Sequence, residues 1–308
     1  MVRAYYGRIT LSAEFSKALQ ERRLTDTRSV SRQVMTTATP TLLGLPYDAS
    51  SSYQRGPADA PRVIREALWS PSANSWTELG VDIGVEGAVA DVGDLDLASC
   101  TPSDARLAIE AAVARLMEGG ARPVALGGDH SVTYPVLRAV RRHAPRLTIV
   151  HVDAHADLYD EFEGDRYSHA CPFARIMEER LADRLIQVGI RTMNAHQRTQ
   201  AVRFGVEVID MRQLTRDAHS LRLTTDGPVY LSIDIDALDP AFAPGVSHRE
   251  PGGLSVRQLL DVLQSVSGPI VGADVVELNP RNDPSGISAM AAAKILRELL
   301  GRMLSGAD

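Results

Sequence analysis

The chain has 308 residues, with 44% apolar and 23% charged residues, values that are typical of a globular protein. A formal net charge of −6 argues against a nucleic-acid partner or an acidic membrane surface. Two cysteines are too few for a disulfide framework or a cysteine-rich zinc site, and they fit a reducing compartment, so we predict a cytoplasmic protein. No run of about 18 apolar residues predicts a transmembrane helix.

The first 38 residues are predicted to form a helical arm in front of a catalytic domain that spans residues 39–308. The arm is rich in arginine but lacks the apolar segment of a secretory signal. Its acidic residues Glu14, Glu21 and Asp26 argue against an organelle transit peptide.

From residue 39 onward, short apolar runs alternate with longer amphipathic segments. The runs are rich in Val, Ile and Leu without alternation, as expected for strands that are buried on both faces. They comprise residues 41–45, 88–92, 123–126, 147–152, 185–190, 206–209, 229–233 and 270–273. Helices are predicted at 101–117, 133–143 and 256–266, the first of them capped by Thr101. This alternation predicts one α/β domain with a mostly parallel sheet, and the irregular spacing favours an open three-layer sheet over a closed barrel.

Polar motifs follow four of the predicted strands. They are Gly-Gly-Asp-His-Ser at 127–131, Asp-Ala-His-Ala-Asp at 153–157, Asp-Ile-Asp at 234–236, and residues 274–277. Ligands of α/β proteins bind at the carboxyl ends of the strands, so we expect all four motifs at the same edge of the sheet.

These motifs predict a centre with two divalent metal ions. Alternate residues of an extended chain share a face, which groups Asp153 with His155 and Asp157, and Asp234 with Asp236. A single Asp-x-Asp is often only a solvated turn. Four gathered carboxylates, however, repel by about 4 kcal/mol per pair at about 4 Å, so the set requires cations. With neutral histidine ligands added, Mn²⁺ is favoured, with Co²⁺, Ni²⁺, Fe²⁺ or Zn²⁺ as alternatives, and metal-assisted hydrolysis is the expected reaction.

Two further residues indicate the substrate. Glu277 is interpreted either as a solvent-facing residue at a helix start or as a partner for a cationic group, and a guanidinium binds carboxylate in a bidentate fork. His169 follows the Asp157 loop and is interpreted as a proton shuttle to a leaving amine, although a lone histidine is usually a packing or surface residue. There is no phosphate-binding glycine loop, so we expect a substrate without a phosphate, and the second interpretation of Glu277 would make it a guanidinium compound.

The motifs at 127–131, 153–157, 232–240 and 274–277 resemble those of the ureohydrolase family, the arginases, agmatinases and their relatives. This resemblance implies a three-layer α/β/α fold with an eight-stranded sheet and two Mn²⁺ ions. It assigns one metal to His130, Asp153, Asp157 and Asp234. It assigns the other to His155, Asp153, Asp234 and Asp236. It also makes His169 the proton shuttle and Glu277 the guanidinium-binding residue.

Within the family, residues 52–57, 157–177, 239–248 and 250–253 resemble the plant-type arginases, which implies hydrolysis of L-arginine and a homo-oligomer, a hexamer rather than a trimer. The substrate loops differ from those of animal arginases. Tyr159 and Ser168 lie on one loop, and Asn194 stands on the other where an animal enzyme has an acid. We predict that these three residues and Glu277 bind the substrate.

Other functions remain as alternatives. An agmatinase or another guanidino-acid hydrolase would share the whole site. A deacetylase on a related fold uses a single zinc ion and needs fewer ligands, and a non-catalytic relative should have lost ligands. The complete ligand set argues against both of these.

Cys171, near the site, is interpreted as a buried packing residue rather than a reactive thiol.

Overall fold

A computed structural model describes residues 38–217 and 221–306. Its centre is a sheet of eight strands in the order β2-β1-β3-β8-β7-β4-β5-β6, with neighbouring strands parallel throughout. The strands are β1 Pro40–Gly44, β2 Ala90–Asp94, β3 Arg122–Leu126, β4 Thr148–Val152, β5 Arg184–Ile190, β6 Glu207–Asp210, β7 Val229–Asp234 and β8 Ile270–Val276. All eight predicted strands are confirmed, and the sheet is open because β2 and β6 form its two edges.

Eight α-helices occur in the described ranges. They are α1 Ala60–Leu68, α2 Pro102–Glu118, α3 Thr133–Val140, α4 Pro172–Glu178, α5 Ala195–Phe204, α6 Met211–Asp217, α7 Val256–Ser265 and α8 Ile287–Ser305. The three predicted helices are confirmed as α2, α3 and α7. As predicted, Thr101 caps α2, because its side chain accepts a hydrogen bond from the Asp104 amide. The predicted N-terminal arm lies outside the described residues, apart from Ala38.

The helices cover both faces of the sheet and make two separate apolar cores. One core joins the sheet to α1, α6, α7 and α8 through side chains such as Ile64, Leu259 and Leu296. The other joins it to α2, α3, α4 and α5 through Ile109, Leu137 and Phe173. Strands buried on both faces explain the continuous apolar runs in the sequence, and the three-layer α/β/α architecture is confirmed.

Among the helices of the described ranges, none is long and apolar enough to span a bilayer.

Candidate metal centre

The order of the strands brings the four polar motifs together. Strands β3, β8, β7 and β4 are consecutive in the sheet, and each predicted motif lies at or just after the carboxyl end of one of them. One detail of the prediction was wrong. Strand β8 continues to Val276, so Asp274 lies inside the strand and only Glu277 reaches its end.

The loop after β3 depends on two glycines. A Cβ atom on Gly128 would lie 1.7 Å from the carbonyl oxygen of Tyr47, and one on Gly127 would lie 2.4 Å from the Val276 side chain. The amide of Asp129 donates to the same Tyr47 oxygen at 2.9 Å. Only glycine permits this close approach, and the approach fixes the position of His130.

Three carboxylates converge on one nitrogen of His130. Its Nδ1 atom lies 3.2 Å from Asp153 Oδ2, 3.1 Å from Asp157 Oδ2 and 3.2 Å from Asp234 Oδ2. The imidazole is fully buried, and Nδ1 has no hydrogen-bond partner among the described residues. These are the four residues that the family resemblance assigns to one metal ion.

The hydrogen bond at the other ring nitrogen, Nε2, shows that Nε2 carries a proton. Nε2 lies 3.0 Å from Ser232 Oγ, and this hydroxyl donates to Asp274 Oδ1 at 2.7 Å. Because the serine proton is used in that bond, Ser232 must accept from His130 Nε2–H. In the neutral ring the lone pair is then on Nδ1, among three carboxylates. Burial disfavours the charged imidazole, but Asp153, Asp157 and Asp234 raise the pKa of His130 well above its ordinary value, so without a metal ion a proton on Nδ1 balances the carboxylates. A transition-metal ion could take the place of that proton.

A second group of ligand atoms lies beside the first. His155 Nδ1 is 3.0 Å from Asp236 Oδ2 and 3.5 Å from Asp153 Oδ1. The amide of Asp236 donates to Asp234 Oδ1 at 2.7 Å, which ties the two aspartates of that motif together. Asp153 therefore presents one oxygen to His130 and the other to His155, as a ligand shared by two ions would.

The electrostatics of the cluster also call for positive charge. Burial, together with Asp236 and Asp153, raises the pKa of Asp234 well above its ordinary value. Burial also raises the pKa of Asp236 to about 6. For Asp153, burial opposes ionisation, but the neighbouring histidines hold its pKa well below the usual range. Bound cations would offset the burial and the mutual repulsion that raise the pKa of Asp234 and Asp236, so the residues present fit a dinuclear metal site.

Glu277 and His169 form an ion pair beside the cluster. Glu277 Oε1 accepts hydrogen bonds from the His130 amide at 2.9 Å and from His169 Nδ1 at 3.0 Å. Burial disfavours the charged imidazole, yet Glu277 raises the pKa of His169 to about 9. Glu277 is buried, which excludes its interpretation as a solvent-facing residue at a helix start.

The backbone is strained at two of the predicted site residues. Asp157 has a φ of 49° and Glu277 a φ of 64°, in the left-handed region that residues other than glycine seldom adopt. Such strain is often found where a side chain must be aimed at a ligand.

A cavity of about 150 Å³ opens onto these groups. Its acidic lining residues are Asp157, Asp234, Asp236 and Glu277. The remaining lining residues are neutral side chains and histidines: Ser52, His155, Tyr159, Phe162, His169, Ala170, Thr192, Gln197 and His248. The cavity therefore combines acidic side chains with neutral and imidazole side chains.

The predicted substrate residues differ in their relation to this cavity. Tyr159 lines it directly. Asn194 does not, but its Nδ2 donates to Tyr159 Oη at 2.8 Å. Ser168 is buried outside the lining, where its Oγ accepts from the Ala170 amide at 3.4 Å, next to His169. Cys171 is fully buried, and burial raises the pKa of its thiol to about 12, so packing is its role as predicted.

Sequence reasoning missed several polar residues at the site. His151 donates to Asp153 from within β4, Ser52 lies 2.9 Å from His169 Nε2, and His248 lines the cavity. For His151 a signal existed, since it precedes Asp153 by two residues and shares its face of the strand. Ser52 and His248 come from distant loops, which a single sequence cannot place.

Comparisons with known proteins cover the whole of this region. The sequence model of the arginase family matches residues 38–301. The chain is 49% identical over 278 residues to "Arginase 1, mitochondrial" of Arabidopsis thaliana, covering 86% of this chain and 81% of that protein. It is 35% identical over 271 residues to "Guanidino acid hydrolase, mitochondrial" of Homo sapiens, covering 84% and 76%. The solved "Arginase from Medicago truncatula" superposes with a TM-score of 0.85 at 42% identity, covering 94% of this chain and 92% of that one.

Proposed function

Because the chain belongs to the arginase family, we propose that it hydrolyses L-arginine to L-ornithine and urea. The observation that carries the proposal is the convergence of His130 Nδ1 and three carboxylates next to a cavity that Glu277 and His169 line. The named arginase relative is 49% identical, against 35% for the named guanidino acid hydrolase, which supports arginine over other guanidines.

Two Mn²⁺ ions are the proposed cofactors, with Co²⁺, Ni²⁺, Fe²⁺ and Zn²⁺ as alternatives. One ion would be held by His130, Asp153, Asp157 and Asp234, and the other by His155, Asp153, Asp234 and Asp236. When bound, the ions supply Lewis acidity and activate water for attack on the guanidinium carbon. Metal analysis of purified protein should give two ions per chain, and reloading the metal-free protein with each ion should identify the one that supports turnover.

Glu277 is proposed to bind the guanidinium group. Its Oε1 already accepts two hydrogen bonds, from the His130 amide and from His169, while Oε2 has no partner in the described part of the chain. A guanidinium donor can therefore bind at Oε2 in the cavity. This contact would align the guanidinium carbon for attack.

His169 is proposed to supply the proton for the leaving group. With a pKa of about 9, its ring carries a proton at neutral pH. As water adds to the guanidinium carbon, the bond from that carbon to the side-chain nitrogen of ornithine breaks, and His169 protonates this nitrogen. Urea and ornithine are then released.

The end of the substrate opposite the guanidinium is proposed to be recognised by Tyr159, Ser168 and Asn194. Asn194 Oδ1 accepts from the Gln197 amide at 2.9 Å, so its Nδ2 must face Tyr159. Tyr159 Oη is thus an acceptor in that bond, and its own proton is free to donate to a substrate carboxylate. Ser168 would act through the loop that carries His169.

The decisive test measures urea released from L-arginine, agmatine and 4-guanidinobutyrate by the Mn²⁺-loaded protein. We expect L-arginine to have the highest kcat/KM. A preference for agmatine would assign the chain as an agmatinase, and a preference for 4-guanidinobutyrate as a guanidino-acid hydrolase. Failure to release urea from any of them, in protein that carries two metal ions, would overturn the proposal.

The assembly, location and domain boundary are also proposed. We propose a homo-oligomer, a hexamer rather than a trimer, in the cytoplasm, although the named relatives above are mitochondrial proteins. Light scattering coupled to gel filtration tests the assembly, and cell fractionation tests the location. Comparing the full chain with residues 39–308 in both assays tests whether residues 1–38 form a separate arm.

A further inference from the structure

Four buried polar side chains form a row across the sheet beneath the metal centre. His151 in β4 is in register with Gln187 in β5 and with Ser232 in β7, and Ser232 is in register with Asp274 in β8. All four are fully buried. Such a row in the centre of a parallel sheet is unusual, because these positions are normally apolar. The row is called the polar row below.

At one end of the polar row, Asp274 accepts the Ser232 proton, so that Ser232 accepts from His130 Nε2–H, as described above. The Gln187 end is not explained by any ligand assignment. His151 is close enough to His130 and Asp153 to be a further ligand of the same ion, so its role depends on which of its nitrogens carries the proton.

The side-chain amide of Gln187 determines that proton's position. Gln187 Nε2 lies 2.6 Å from the carbonyl oxygen of Ala156 and 3.0 Å from His151 Nδ1. A carbonyl oxygen only accepts, so the NH₂ group must face it, and its second hydrogen points to His151. His151 Nδ1 is therefore an acceptor. In this orientation Gln187 Oε1 is buried with no hydrogen-bond partner among residues 38–217 and 221–306. The orientation of the amide is therefore set by the two hydrogen bonds from Nε2 alone.

A neutral His151 ring that accepts at Nδ1 must carry its proton on Nε2. That atom lies 2.7 Å from Asp153 Oδ2 and donates to it. Phe173 of α4 stacks on the same ring with 3.9 Å between ring centroids, which prevents the ring from turning. His151 is thus a hydrogen-bond donor to a ligand and has no lone pair directed at the metal.

Asp153 is, with Asp234, one of the two ligands assigned to both ions, and two donors fix the plane of its carboxylate. Oδ1 accepts from the His155 amide at 2.6 Å, and Oδ2 accepts from His151. Rotation of this carboxylate would remove an oxygen from each group of ligands simultaneously.

We propose that His151 and Gln187 are positioning residues of the metal centre, which hold Asp153 with Oδ2 toward His130 and Oδ1 toward His155, so that this carboxylate could be a ligand of both ions. The inference rests on the proposed dinuclear function and assigns residues to it that the motifs leave out. Hydrogen-bond partners of this kind commonly change metal affinity by about ten- to a hundredfold.

The test is the Mn²⁺ affinity of His151→Phe, measured by calorimetry on metal-free full-length protein. Phenylalanine keeps the ring volume but lacks both nitrogens. We expect the dissociation constant for Mn²⁺ to rise about ten- to a hundredfold. At saturating Mn²⁺ most of the kcat should return, and the KM for arginine should be unchanged.

Two controls separate positioning from a general structural role. His143 is exposed, so His143→Phe should leave both Mn²⁺ affinity and melting temperature unchanged. Ser288 is buried and bonds the Gly245 amide at 2.7 Å, outside the metal centre, so Ser288→Ala should lower the melting temperature without changing Mn²⁺ affinity.

If His151→Phe does not fold, Gln187→Leu tests the same contact by removing the donor that fixes the His151 proton, and we expect severalfold weaker Mn²⁺ binding. Wild-type affinity in a folded variant of either residue would overturn the inference. If the wild-type protein itself binds fewer than two ions, it is the proposed function that fails.

Discussion

Replacing Tyr159 with phenylalanine tests how the protein recognises the carboxylate of L-arginine. The substitution removes the hydroxyl group and retains the ring, which packs against Phe162 and His196. In the wild type this hydroxyl accepts from Asn194 Nδ2 and retains its proton for a ligand. The variant should therefore lose one donor to the substrate and little else.

The magnitude follows from the kind of bond that is lost. A hydrogen bond to a charged group contributes about 1.5–3 kcal/mol, which corresponds to about tenfold to a hundredfold in kcat/KM. Tyr159 is only half-buried, so water can replace part of the lost interaction. We therefore expect the lower end of the range, a rise of about tenfold in the KM for arginine with kcat nearly unchanged.

The assay compares urea release from L-arginine and agmatine, which differ by the carboxylate. The KM for agmatine should not change in Tyr159→Phe. Tyr167→Phe is the matched control on the same loop, because the Tyr167 hydroxyl has no hydrogen bond in the described ranges. Equal changes for both substrates, or an unchanged KM for arginine, would refute the reasoning.

Asn194→Asp tests the same contact by changing the residue that donates to the Tyr159 hydroxyl. Aspartate retains the acceptor that caps α5, but it replaces the donor to Tyr159 with an oxygen. The hydroxyl proton of Tyr159 would then be drawn to the introduced carboxylate instead of the substrate, so the KM for arginine should rise as it does in Tyr159→Phe.

Three other substitutions test the centre itself. Asp236→Ala should abolish urea release and reduce bound metal below two ions per chain, and near-native turnover would contradict the ligand assignment. His169→Asn should remove a pH-dependent part of the stability of the metal-free protein. Because the folded-state pKa of His169 is raised from 6.5 to about 9, this part is complete below pH 6.5 and is lost as the pH rises through about 9. Its ceiling is about 3 kcal/mol, since one pKa unit corresponds to about 1.4 kcal/mol, and melting curves that differ equally at pH 6 and pH 10 would contradict it. Gly128→Ala should destabilise the protein by about 3 kcal/mol, because the added Cβ would lie 1.7 Å from Tyr47 O, and unaltered thermal unfolding would show that this loop can move.

The sequence was sufficient for the layer architecture and for the position of the metal centre. Continuous Val, Ile and Leu runs identify strands that are buried on both faces, and every one of the eight predicted runs is a strand. The ligand motifs could be located because the carboxyl ends of parallel strands meet at one edge, whatever the order of the strands. Charge repulsion then made a cation site the consistent interpretation of the gathered aspartates.

Only the tertiary structure decided which atoms face each other. The order β3-β8-β7-β4 is not encoded in any local pattern, yet it places His130 among carboxylates from two other strands. The pairing of β4 with β5 also aligns Gln187 with His151, two residues 36 positions apart in the chain. Hydrogen-bond direction depends on these neighbours, since the proton on an imidazole goes to whichever nitrogen has an acceptor beside it. For this reason the residue types at the site could be predicted from the sequence, whereas the tautomers and the donor left free on Tyr159 required the fold.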